Sequence, residues 1–503
     1  MSDRPETAPP ESAIPAPSRG GAFVRDSAAI ALGQYVARVM LLARGWGAAI
    51  ALGPSGYGTL SFLNLILDYG SYAGFGALEG LDLRLPGAVG TGDRATARRL
   101  MAGAWAIIAA GGVAFALVVA MALSDSPRES ILPDTRLGLA MLVAVMLQLV
   151  FKYLAAALRS HGRFRAVSAG QSTQAVLGAG SGLVLVWWFG LWGLVLGWIA
   201  GTLVALARMR LACREAPLIP AHARTGASLV RLGFPIFAFY GASLVLRSVD
   251  RLALVRYGDA AGLGMYGVAV MAAGLVLFIP ESVAYVLFPR IAAAHHGAID
   301  RARVRADVLR AQRGLVILMP IGVCLAMIWA GPMMEWLLPD YFPAIRPLRW
   351  LAAGALTLSA ATIPSYFLLA CGRQKSLLAL GVFAAATNAV VVFSVAARHP
   401  QPSAVAAAAS VGYLLFALVI LARAAVEFHD RLAVRASFVL ASLSPALFGI
   451  GLAYAVTRVV TGLGWAALCA GSVVFLAGYF PLAFAMSRGL GMRTLMRDTL
   501  ASR

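Results

Sequence analysis

The segment GFPIFAFYGASLVLRSVDR, residues 233–251, decides the fold of this chain, because it places charges inside an apolar run long enough to cross a membrane. Arg247, Asp250 and Arg251 lie at its end, and the next apolar run contains Glu281. A charge within the bilayer costs roughly 2.5–3.5 kcal/mol on insertion scales, so these residues need a partner or a water-filled cavity. Asp250 and Arg251 follow Arg247 by three and four residues, which predicts that these three side chains project from one helical face. Two interpretations stay open: a self-neutralising ion pair with one arginine extended towards the outer interface, or the polar wall of a transport cavity.

The composition of the whole chain predicts an all-α polytopic membrane protein. Of the 503 residues, 60% are hydrophobic and 13% are charged, about half the charged share of an average soluble domain. Apolar runs of about 20 residues recur along the chain, and each can span a hydrocarbon core about 30 Å thick. We predict fourteen spans, at about 28–52, 57–82, 100–123, 137–158, 167–189, 190–207, 232–254, 263–288, 314–337, 351–370, 377–397, 404–422, 437–457 and 464–486.

The net charge of +20 is distributed as the positive-inside rule requires. If the N-terminus is cytoplasmic, 30 of the 42 Lys and Arg residues fall on the cytoplasmic side and 7 fall outside. This asymmetry predicts an even number of spans, with both termini in the cytoplasm. The same distribution argues against a nucleic-acid partner and favours some attraction to anionic lipid headgroups.

An internal repeat divides the predicted spans into two halves. The Tyr-Gly pair at 57–58 recurs at 266–267, and this offset aligns Arg38 with Arg247. We therefore predict two six-helix lobes of the same orientation, whereas spans 13 and 14 repeat neither lobe and look like an addition. The predicted units are a disordered cytoplasmic tail at 1–27, a first lobe at 28–207, a cytoplasmic linker at 208–231, a second lobe at 232–422, the extra spans at 423–486 and a cytoplasmic tail at 487–503.

The first two spans carry polar side chains at helical spacing. Arg38 falls near the middle of span 1 with Gln34 one turn before it, whereas Arg44 is turned about a third of the way round the helix. Span 2 has a polar stripe that must face protein or water, because lipid cannot satisfy its hydrogen bonds. We predict that Asp68 of this stripe pairs with Arg38, either as a static bridge or as part of proton or ion coupling. The stripe comprises Ser61, Asn64, Asp68, Tyr72 and Glu79.

Further polar residues lie in spans 4, 5 and 11. Lys152 in span 4 follows Gln148 by four residues, and it fits either a lysine that reaches the interface or a cavity lysine. Gln171 and Gln174 in span 5 are uncharged and suit hydrogen bonds to a hydroxyl-rich ligand. Span 11 contains Asn388.

The sequence carries no enzyme signature and no metal-ligand spacing. It has no Gly-rich phosphate loop, no Ser/His/Asp arrangement and no paired acidic motif in a polar loop. Its four cysteines form neither a metal motif nor a disulfide framework. The longest predicted outer loop, 124–136, is too short for a catalytic domain, which argues against a membrane glycosyltransferase, ligase or polymerase. We expect no enzyme activity, metal or cofactor.

Several motifs together resemble the Wzx-type polysaccharide flippases of the multidrug/oligosaccharidyl-lipid/polysaccharide (MOP) exporter superfamily. The turn LGPSGYG at 52–58 resembles the junction of that family's first two spans. Asp250, the element GMYGVA at 264–269 and the sequence FPRI at 288–291 resemble its seventh and eighth spans. The end of span 10 at 366–375 also fits. The resemblance covers spans 1 to 12 and rests on the order and spacing of short motifs.

The resemblance implies two six-helix bundles around a cavity that opens alternately to the two sides of the bacterial inner membrane. It implies as substrate an undecaprenyl-diphosphate-linked oligosaccharide, with a polysaccharide polymerase and export machinery as candidate partners. Positive charges within the spans suit a diphosphate, since arginine can hold phosphate oxygens bidentately. The cavity cations would be Arg38, Arg44, Lys152, Arg247 and Arg251, and its polar or coupling residues would be Asn64, Asp68, Gln171, Gln174, Asp250, Glu281 and Asn388.

The main alternative is a cation-coupled small-molecule antiporter of the same fold, with Asp68, Asp250 or Glu281 as its proton or sodium site. Its substrates would usually be cations, and the excess of arginine in the spans argues against that. A scaffold without transport gives no reason for charges in the middle of the membrane. The sequence therefore favours the flippase hypothesis and leaves the sugar, the energy source and the role of spans 13 and 14 open.

Overall fold

The regular secondary structure of the described residues is helical. The computed structural model describes residues 20–125, 131–295, 300–460 and 464–488. In these ranges every regular element is a helix, which confirms the predicted all-α class. The helices are α1 (Gly20–Gly70), α2 (Ala77–Gly90), α3 (Arg94–Asp125), α4 (Thr135–Ser160), α5 (Phe164–Phe189), α6 (Leu191–Ala212), α7 (Ala223–Tyr257), α8 (Ala260–His295), α9 (Arg301–Leu337), a short 3₁₀ helix (Pro339–Ala344), α10 (Ile345–Ala370), α11 (Gln374–Arg398), α12 (Pro402–Phe428), α13 (Leu432–Val460) and α14 (Gly464–Arg488).

Thirteen of the described helices are long and apolar enough to cross a membrane, against fourteen predicted spans. The difference lies in α1, which holds the first predicted span and most of the second on either side of a break at Gly53. Gly53 has a φ of 65°, which glycine adopts without the steric cost of a Cβ. A Cβ on Gly45 would lie 3.6 Å from the Tyr57 hydroxyl, although a straight helix would separate these two residues by about 18 Å. The chain therefore folds back at Gly53, and α2 completes the second span.

Most helices extend beyond the predicted spans, and two of these extensions change the predicted units. Helix α1 begins at Gly20, so the end of the predicted tail 1–27 is helical and the rest of it lies outside the described residues. The predicted linker 208–231 is shorter, because α6 continues to Ala212 and α7 begins at Ala223. Backbone hydrogen bonds determine where a helix ends, so helices extend beyond the apolar run that marks a span. Most of the tail predicted at 487–503 follows α14, outside the described residues.

The buried hydrophobic residues of the described chain form one core in each half and a third, smaller core that joins the two halves at the α1 turn. The core of the first half consists of buried residues between Leu63 and Leu229. The core of the second half consists mainly of buried residues between Ala242 and Ala483, and it includes side chains of α13 and α14. Helix α13 packs against α9 and α12, so the two extra helices are attached to the second half. Because lipid gives no hydrophobic drive between helices, these cores depend on close packing.

The end of the bundle that carries the α1 turn, here called the hairpin end, is closed by glycines packed against backbone. A Cβ on Gly58 would lie 1.8 Å from the Ala260 carbonyl oxygen, and a Cβ on Gly264 would lie 1.8 Å from that of Pro54. Neither position leaves room for any side chain. The Tyr341 hydroxyl also donates a hydrogen bond to a carbonyl of α1 (3.1 Å). The two halves are therefore in direct contact at this end.

At the opposite end, here called the linker end, α7 connects the two halves. A Cβ on Gly80 of α2 would lie 2.1 Å from the Leu229 carbonyl oxygen, and a Cβ on Gly226 would lie 2.3 Å from that of Gly103 in α3. The first part of α7 thus packs on the first half of the chain. Its second part packs on α11 of the second half. The space between the halves lies beside this crossing helix.

The irregular connection at 213–222 is held against the first half. The Trp105 indole donates a hydrogen bond to the Leu218 carbonyl (2.6 Å), and the Tyr153 hydroxyl donates one to the Pro217 carbonyl (2.8 Å). Cys213 at its start is fully buried, and this burial raises the pKa of its thiol. The connection is therefore a packed part of the first half.

Candidate substrate cavity

A cavity of about 510 Å³, here called the central cavity, lies between the two halves. Helices α1, α4, α7, α8, α10 and α12 supply its walls. A second pocket of about 380 Å³, here called the side pocket, adjoins it and shares Ser71, Tyr72 and Lys152 with it. The charged residues on the walls of the central cavity are Asp68, Lys152, Arg247, Arg251 and Glu281.

Two arginines, one from each half, share one carboxylate at the central cavity. Arg247 Nη1 lies 3.4 Å from Glu281 Oε1, and Arg38 Nη2 lies 3.8 Å from Glu281 Oε2. The Arg38 guanidinium also lies 4.4 Å from the ring centroid of Phe278, within range of a cation–π interaction. The side chains of Arg38 and Arg247 are 49% and 46% exposed. Two positive charges thus share one negative charge and stay open to a ligand.

A third arginine, Arg251, pairs with Asp68 at 3.9 Å. The predicted pair between Asp68 and Arg38 is therefore wrong. Because α1 folds back on itself, its first segment places Arg38 beside α8, whereas its second segment places Asp68 beside α7. Sequence spacing could not show that the two segments of one hairpin face different partners.

Lys152 is held at the junction of the central cavity and the side pocket. Its Nζ donates hydrogen bonds to the Ser71 hydroxyl (2.9 Å) and to the Ser71 carbonyl (3.0 Å). It also lies 4.8 Å from the ring centroid of Tyr72. The lysine therefore lies in a cavity wall, as one of its two sequence interpretations predicts.

The groups around the central cavity carry a net positive charge. Arg38, Lys152, Arg247 and Arg251 face two carboxylates, Asp68 and Glu281. The three arginine–carboxylate distances of 3.4 to 3.9 Å exceed the roughly 2.7–2.9 Å of a charge-assisted hydrogen bond. In the side pocket, by contrast, Arg159 holds Asp82 through two hydrogen bonds of 2.8 and 3.1 Å. Less interaction energy is lost when a loosely paired arginine exchanges its carboxylate for another anion than when the Arg159–Asp82 pair is broken.

Arg44 does not line the central cavity or the side pocket. Its side chain is buried, donates a hydrogen bond to the Leu194 carbonyl (3.4 Å) and lies 5.3 Å from the ring centroid of Trp198. Both partners belong to α6. The third of a turn that separates Arg44 from Arg38 is enough to direct it into the first half of the chain.

Asp250 and Asn388 are also held inside the second half. Asp250 is fully buried and accepts hydrogen bonds from the Tyr266 hydroxyl (2.5 Å) and the Arg251 backbone N–H (2.7 Å). Asn388 donates a hydrogen bond to the Leu246 carbonyl (3.0 Å). The expectation of one common face for the three charges of α7 is wrong for Asp250, because adjacent residues of a helix diverge by about 100°.

The side pocket contains the glutamine side chains that the sequence singled out in spans 4 and 5. Gln174 Nε2 donates hydrogen bonds to Gln148 Oε1 (2.7 Å) and Thr202 Oγ1 (3.0 Å), and Gln171 lies on the same wall. Glu79 of the predicted polar stripe lines this pocket too. The half-buried Asn64 lines none of the described pockets, and the side chain of Gln34 lies outside the described residues.

Sequence reasoning missed several lining residues. Asp82 and Arg159 lie near predicted span ends, where charges are ordinary. The side pocket is also lined by Phe75, Phe237 and Tyr240. In the sequence, Phe237 and Tyr240 belong to an aromatic-rich apolar run, and Phe75 lies within a span that we predicted to be continuous. Among the described residues no group of three His, Cys, Asp or Glu side chains could hold a metal ion.

Comparisons with known proteins support this architecture. Residues 100–346, just under half of the chain, match a family described as "Polysaccharide biosynthesis protein". No curated protein matches the sequence. Among solved structures, the chain is similar to the lipid II flippase MurJ in an inward closed conformation, with 12% identity, a TM-score of 0.71, and coverage of 92% of this chain and 99% of that one.

The chain is also similar to multidrug transporters. An inward-facing MATE family transporter of the MOP superfamily gives a TM-score of 0.64 at 14% identity, with 78% of this chain and 94% of that one covered. A variant of the Vibrio cholerae MATE transporter VcmN gives 0.57 at 13% identity, with 82% and 98% covered. These comparisons agree with the resemblance predicted from the sequence motifs: this chain is a multi-pass membrane protein whose fold is similar to that of MurJ and the MATE transporters, and residues 100–346 match a polysaccharide biosynthesis family.

Proposed function

We propose that this chain is a flippase that moves an undecaprenyl-diphosphate-linked oligosaccharide from the cytoplasmic to the outer leaflet of the bacterial inner membrane. The product would serve synthesis of a surface polysaccharide such as exopolysaccharide, capsule or O-antigen, through a polymerase and export machinery. The observation that carries the proposal is the net positive cluster of loosely paired arginines in a cavity between the two halves. The match of residues 100–346 to a polysaccharide biosynthesis family supports the substrate class.

The cluster suits a diphosphate in charge and in geometry. A diphosphate diester is a compact anion with several acceptor oxygens, and guanidinium groups bind such oxygens bidentately. Arg38 and Arg247 come from different halves, and both pair with Glu281. An anion that displaces Glu281 would therefore contact both halves at once, so its binding can influence how the halves are arranged.

The two ends of the bundle give the transport cycle its required steps. With the N-terminus cytoplasmic, the hairpin end faces outward and the linker end faces the cytoplasm. The backbone contact between Gly58 and Ala260 closes the outer exit and has to separate for release. The polyprenyl chain would stay in lipid while the polar head crosses through the cavity, since only the head needs water or protein partners.

The antiporter alternative is less consistent with the same cavity. A cation-coupled exporter needs a carboxylate that is free for a cation, yet Asp68 and Glu281 already pair with arginines. Asp250 is enclosed by its hydrogen bond to Tyr266. A net positive cavity also repels cationic substrates.

The proposal is tested by assaying lipid-linked oligosaccharide by leaflet in a strain that lacks the gene. We expect accumulation on the cytoplasmic face, loss of surface polymer, and rescue by the intact gene. Unchanged lipid-linked sugars together with altered sensitivity to cationic drugs would contradict the flippase and favour the antiporter.

The cavity is tested by complementation with Arg247→Ala. We expect the variant protein to reach the membrane at a normal level but to produce no surface polymer. The reason is that one of the two guanidinium groups that bind the substrate from the two halves is lost. Arg256→Ala is a matched control on the same helix: Arg256 is exposed at the hairpin end and stacks on Tyr257 at 5.3 Å, so export should continue. Normal polymer with Arg247→Ala would remove the central cavity from the transport route.

A further inference from the structure

The side pocket differs from the central cavity in its charge. Its cations are Lys152 and Arg159 and its carboxylates are Glu79 and Asp82, so the formal charges cancel. Arg159 and Asp82 neutralise each other through their two hydrogen bonds. Among the described residues on its walls, the other titratable groups are two tyrosines, Tyr72 and Tyr240. The pocket therefore offers polar groups without the positive excess that suits a phosphate.

Glu79 is the hydrogen-bond acceptor that this pocket leaves available. It lies in α2, is half-buried and makes no ion pair with any described residue. An ionised carboxylate is acceptor-only, and its two oxygens can receive two hydroxyl groups of one ligand. The same charge repels another carboxylate brought into the pocket. Glu79 thus favours hydroxyl groups and opposes anions placed beside it, whereas Lys152, which lines both spaces, attracts them.

Amide side chains of α4 and α5 supply complementary groups on the walls of the same pocket. The bond from Gln174 to Gln148 leaves the Gln148 amide nitrogen and the Gln174 carbonyl oxygen with further capacity. Gln171 lies one turn before Gln174 on α5 and lines the same pocket. Amides both donate and accept, so they can match hydroxyl groups of either orientation.

An aromatic wall completes the pocket. The ring centroid of Phe237 lies 6.2 Å from that of Tyr72 and 6.2 Å from that of Phe75. Tyr240 follows Phe237 by one turn of α7. Phe75 and Tyr240 remain 51% and 43% exposed, so ring faces are available to a ligand. Such rings pack against the apolar C–H faces of a pyranose, while the sugar's hydroxyl groups face the polar wall.

The backbone at Phe75 is strained in a way that places its ring in this pocket. Phe75 has a φ of 47° in the break between α1 and α2, a left-handed conformation that is costly for a residue with a bulky side chain. Strain of this kind is stored at ligand sites, where the surrounding structure holds it. A glycine would satisfy the same turn without strain but would supply no ring.

We propose that the side pocket binds the sugar attached directly to the diphosphate, and that this sugar is an uncharged pyranose with free hydroxyl groups. The inference rests on the proposed function, because it assumes a diphosphate in the central cavity. Lys152 lines both spaces, so a phosphate held at its Nζ places the attached sugar at the mouth of the side pocket. The two spaces divide the substrate into an anionic part and a neutral part.

Binding of three probes to the purified full-length chain in lipid nanodiscs tests the inference. The probes are farnesyl diphosphate, its glucosyl ester and its glucuronosyl ester, measured by titration calorimetry. We expect the glucosyl probe to bind at least about tenfold more tightly than farnesyl diphosphate, and the glucuronosyl probe to lose that gain. Equal affinity for the glucosyl and glucuronosyl probes, or no gain from glucose, would overturn the inference while the diphosphate site stood.

Variants distinguish an effect on sugar binding in the side pocket from a general loss of folding. Glu79→Gln should make the glucuronosyl probe bind more tightly, a gain that a misfolded protein cannot produce, and Phe237→Ala should remove only the glucosyl gain. Glu335→Gln, the same change on α9 outside both spaces, should alter neither. Failure of all three probes to bind would instead count against the proposed function.

Discussion

The hairpin end and the central cavity hold the two halves together by opposite means. At the hairpin end Gly58 and Gly264 bring backbone against backbone, with no space for one methyl group. In the central cavity, Arg247 and Arg251 reach their carboxylates only at 3.4 and 3.9 Å. Close packing is lost all at once when surfaces separate, whereas loose ion pairs are readily exchanged for a ligand. The contrast predicts that the hairpin end separates as a unit and that the central cavity exchanges its ion pairs for a ligand.

The largest expected effect comes from adding one methyl group at the hairpin end. Gly58→Ala places a Cβ where the Ala260 carbonyl lies, so the closed contact should lose about 1–3 kcal/mol, the usual cost of overpacking. Export should fall sharply. In a chain without native cysteines, Ser61→Cys one turn below the contact should react at least about tenfold faster with a membrane-impermeant maleimide.

Gly180→Ala is the matched control, because a Cβ there would meet no atom within 4 Å. It should leave the reaction rate of the same cysteine unchanged. An unchanged rate in Gly58→Ala as well would mean that the hairpin end is a static contact, and the contrast with the cavity would fail.

The next effect is a gain of affinity in the cavity. Glu281→Gln removes the charge that Arg38 and Arg247 share, so both guanidinium groups become free for phosphate. Farnesyl diphosphate should bind about three- to tenfold more tightly, and the gain should shrink at high salt because exposed charges are screened. Titration calorimetry at two ionic strengths measures both. Weaker binding would show that Glu281 positions the arginines and does not compete with the ligand.

A smaller effect separates the arginines inside the bundle from those in the cavity. Arg44→Ala removes a buried guanidinium that contacts Trp198 and the Leu194 carbonyl, so the free energy of unfolding should fall by about 1–2 kcal/mol. Affinity for farnesyl diphosphate should stay within about twofold of wild type. Thermal denaturation in detergent and calorimetry give the two quantities. A large loss of affinity with unchanged thermal stability would place Arg44 in the substrate route after all.

The smallest effect concerns the linker end. Burial raises the pKa of the Cys213 thiol, so at neutral pH less thiolate is present than for an exposed cysteine and alkylation should be slow. The rate should rise with pH, because deprotonation increases as pH approaches the raised pKa. Trp105→Phe removes the hydrogen bond that holds Leu218 and should speed labelling of Cys213 by about threefold in a single-cysteine chain. No change would mean that packing alone holds the connection.

The positions of the charges were predictable from the sequence, but their partners were not. Arg38, Lys152, Arg247, Arg251, Asp68 and Glu281 stand out because charge is costly within an apolar span. Pairing depends on which helices become neighbours and on how far each is rotated, and a rotation of one residue moves a side chain by about 100°. For this reason Asp68 pairs with Arg251, and Asp250 turns away from the cavity to Tyr266.

The aromatic wall of the side pocket was also not predictable from the sequence. In an apolar run, Phe237 and Tyr240 are indistinguishable from residues that face lipid. Only the break after Gly70, with Phe75 in a left-handed conformation, reveals that this part of α7 faces a pocket. The three glycines within residues 70–76 are a local signal for a break, but they do not show that Phe75 would turn towards α7, since that arrangement depends on contacts with α7.

The sequence by itself predicted the helical class, most of the membrane spans, a repeat of two lobes and the resemblance to polysaccharide exporters. These follow from hydropathy, period and motif order, which are properties of neighbouring residues along the chain. Only the tertiary structure decided that Arg38 and Arg247 share Glu281, that Arg44 is enclosed against α6, and that a neutral pocket adjoins the charged cavity. Those arrangements join residues from distant segments, and they arise when the helices pack.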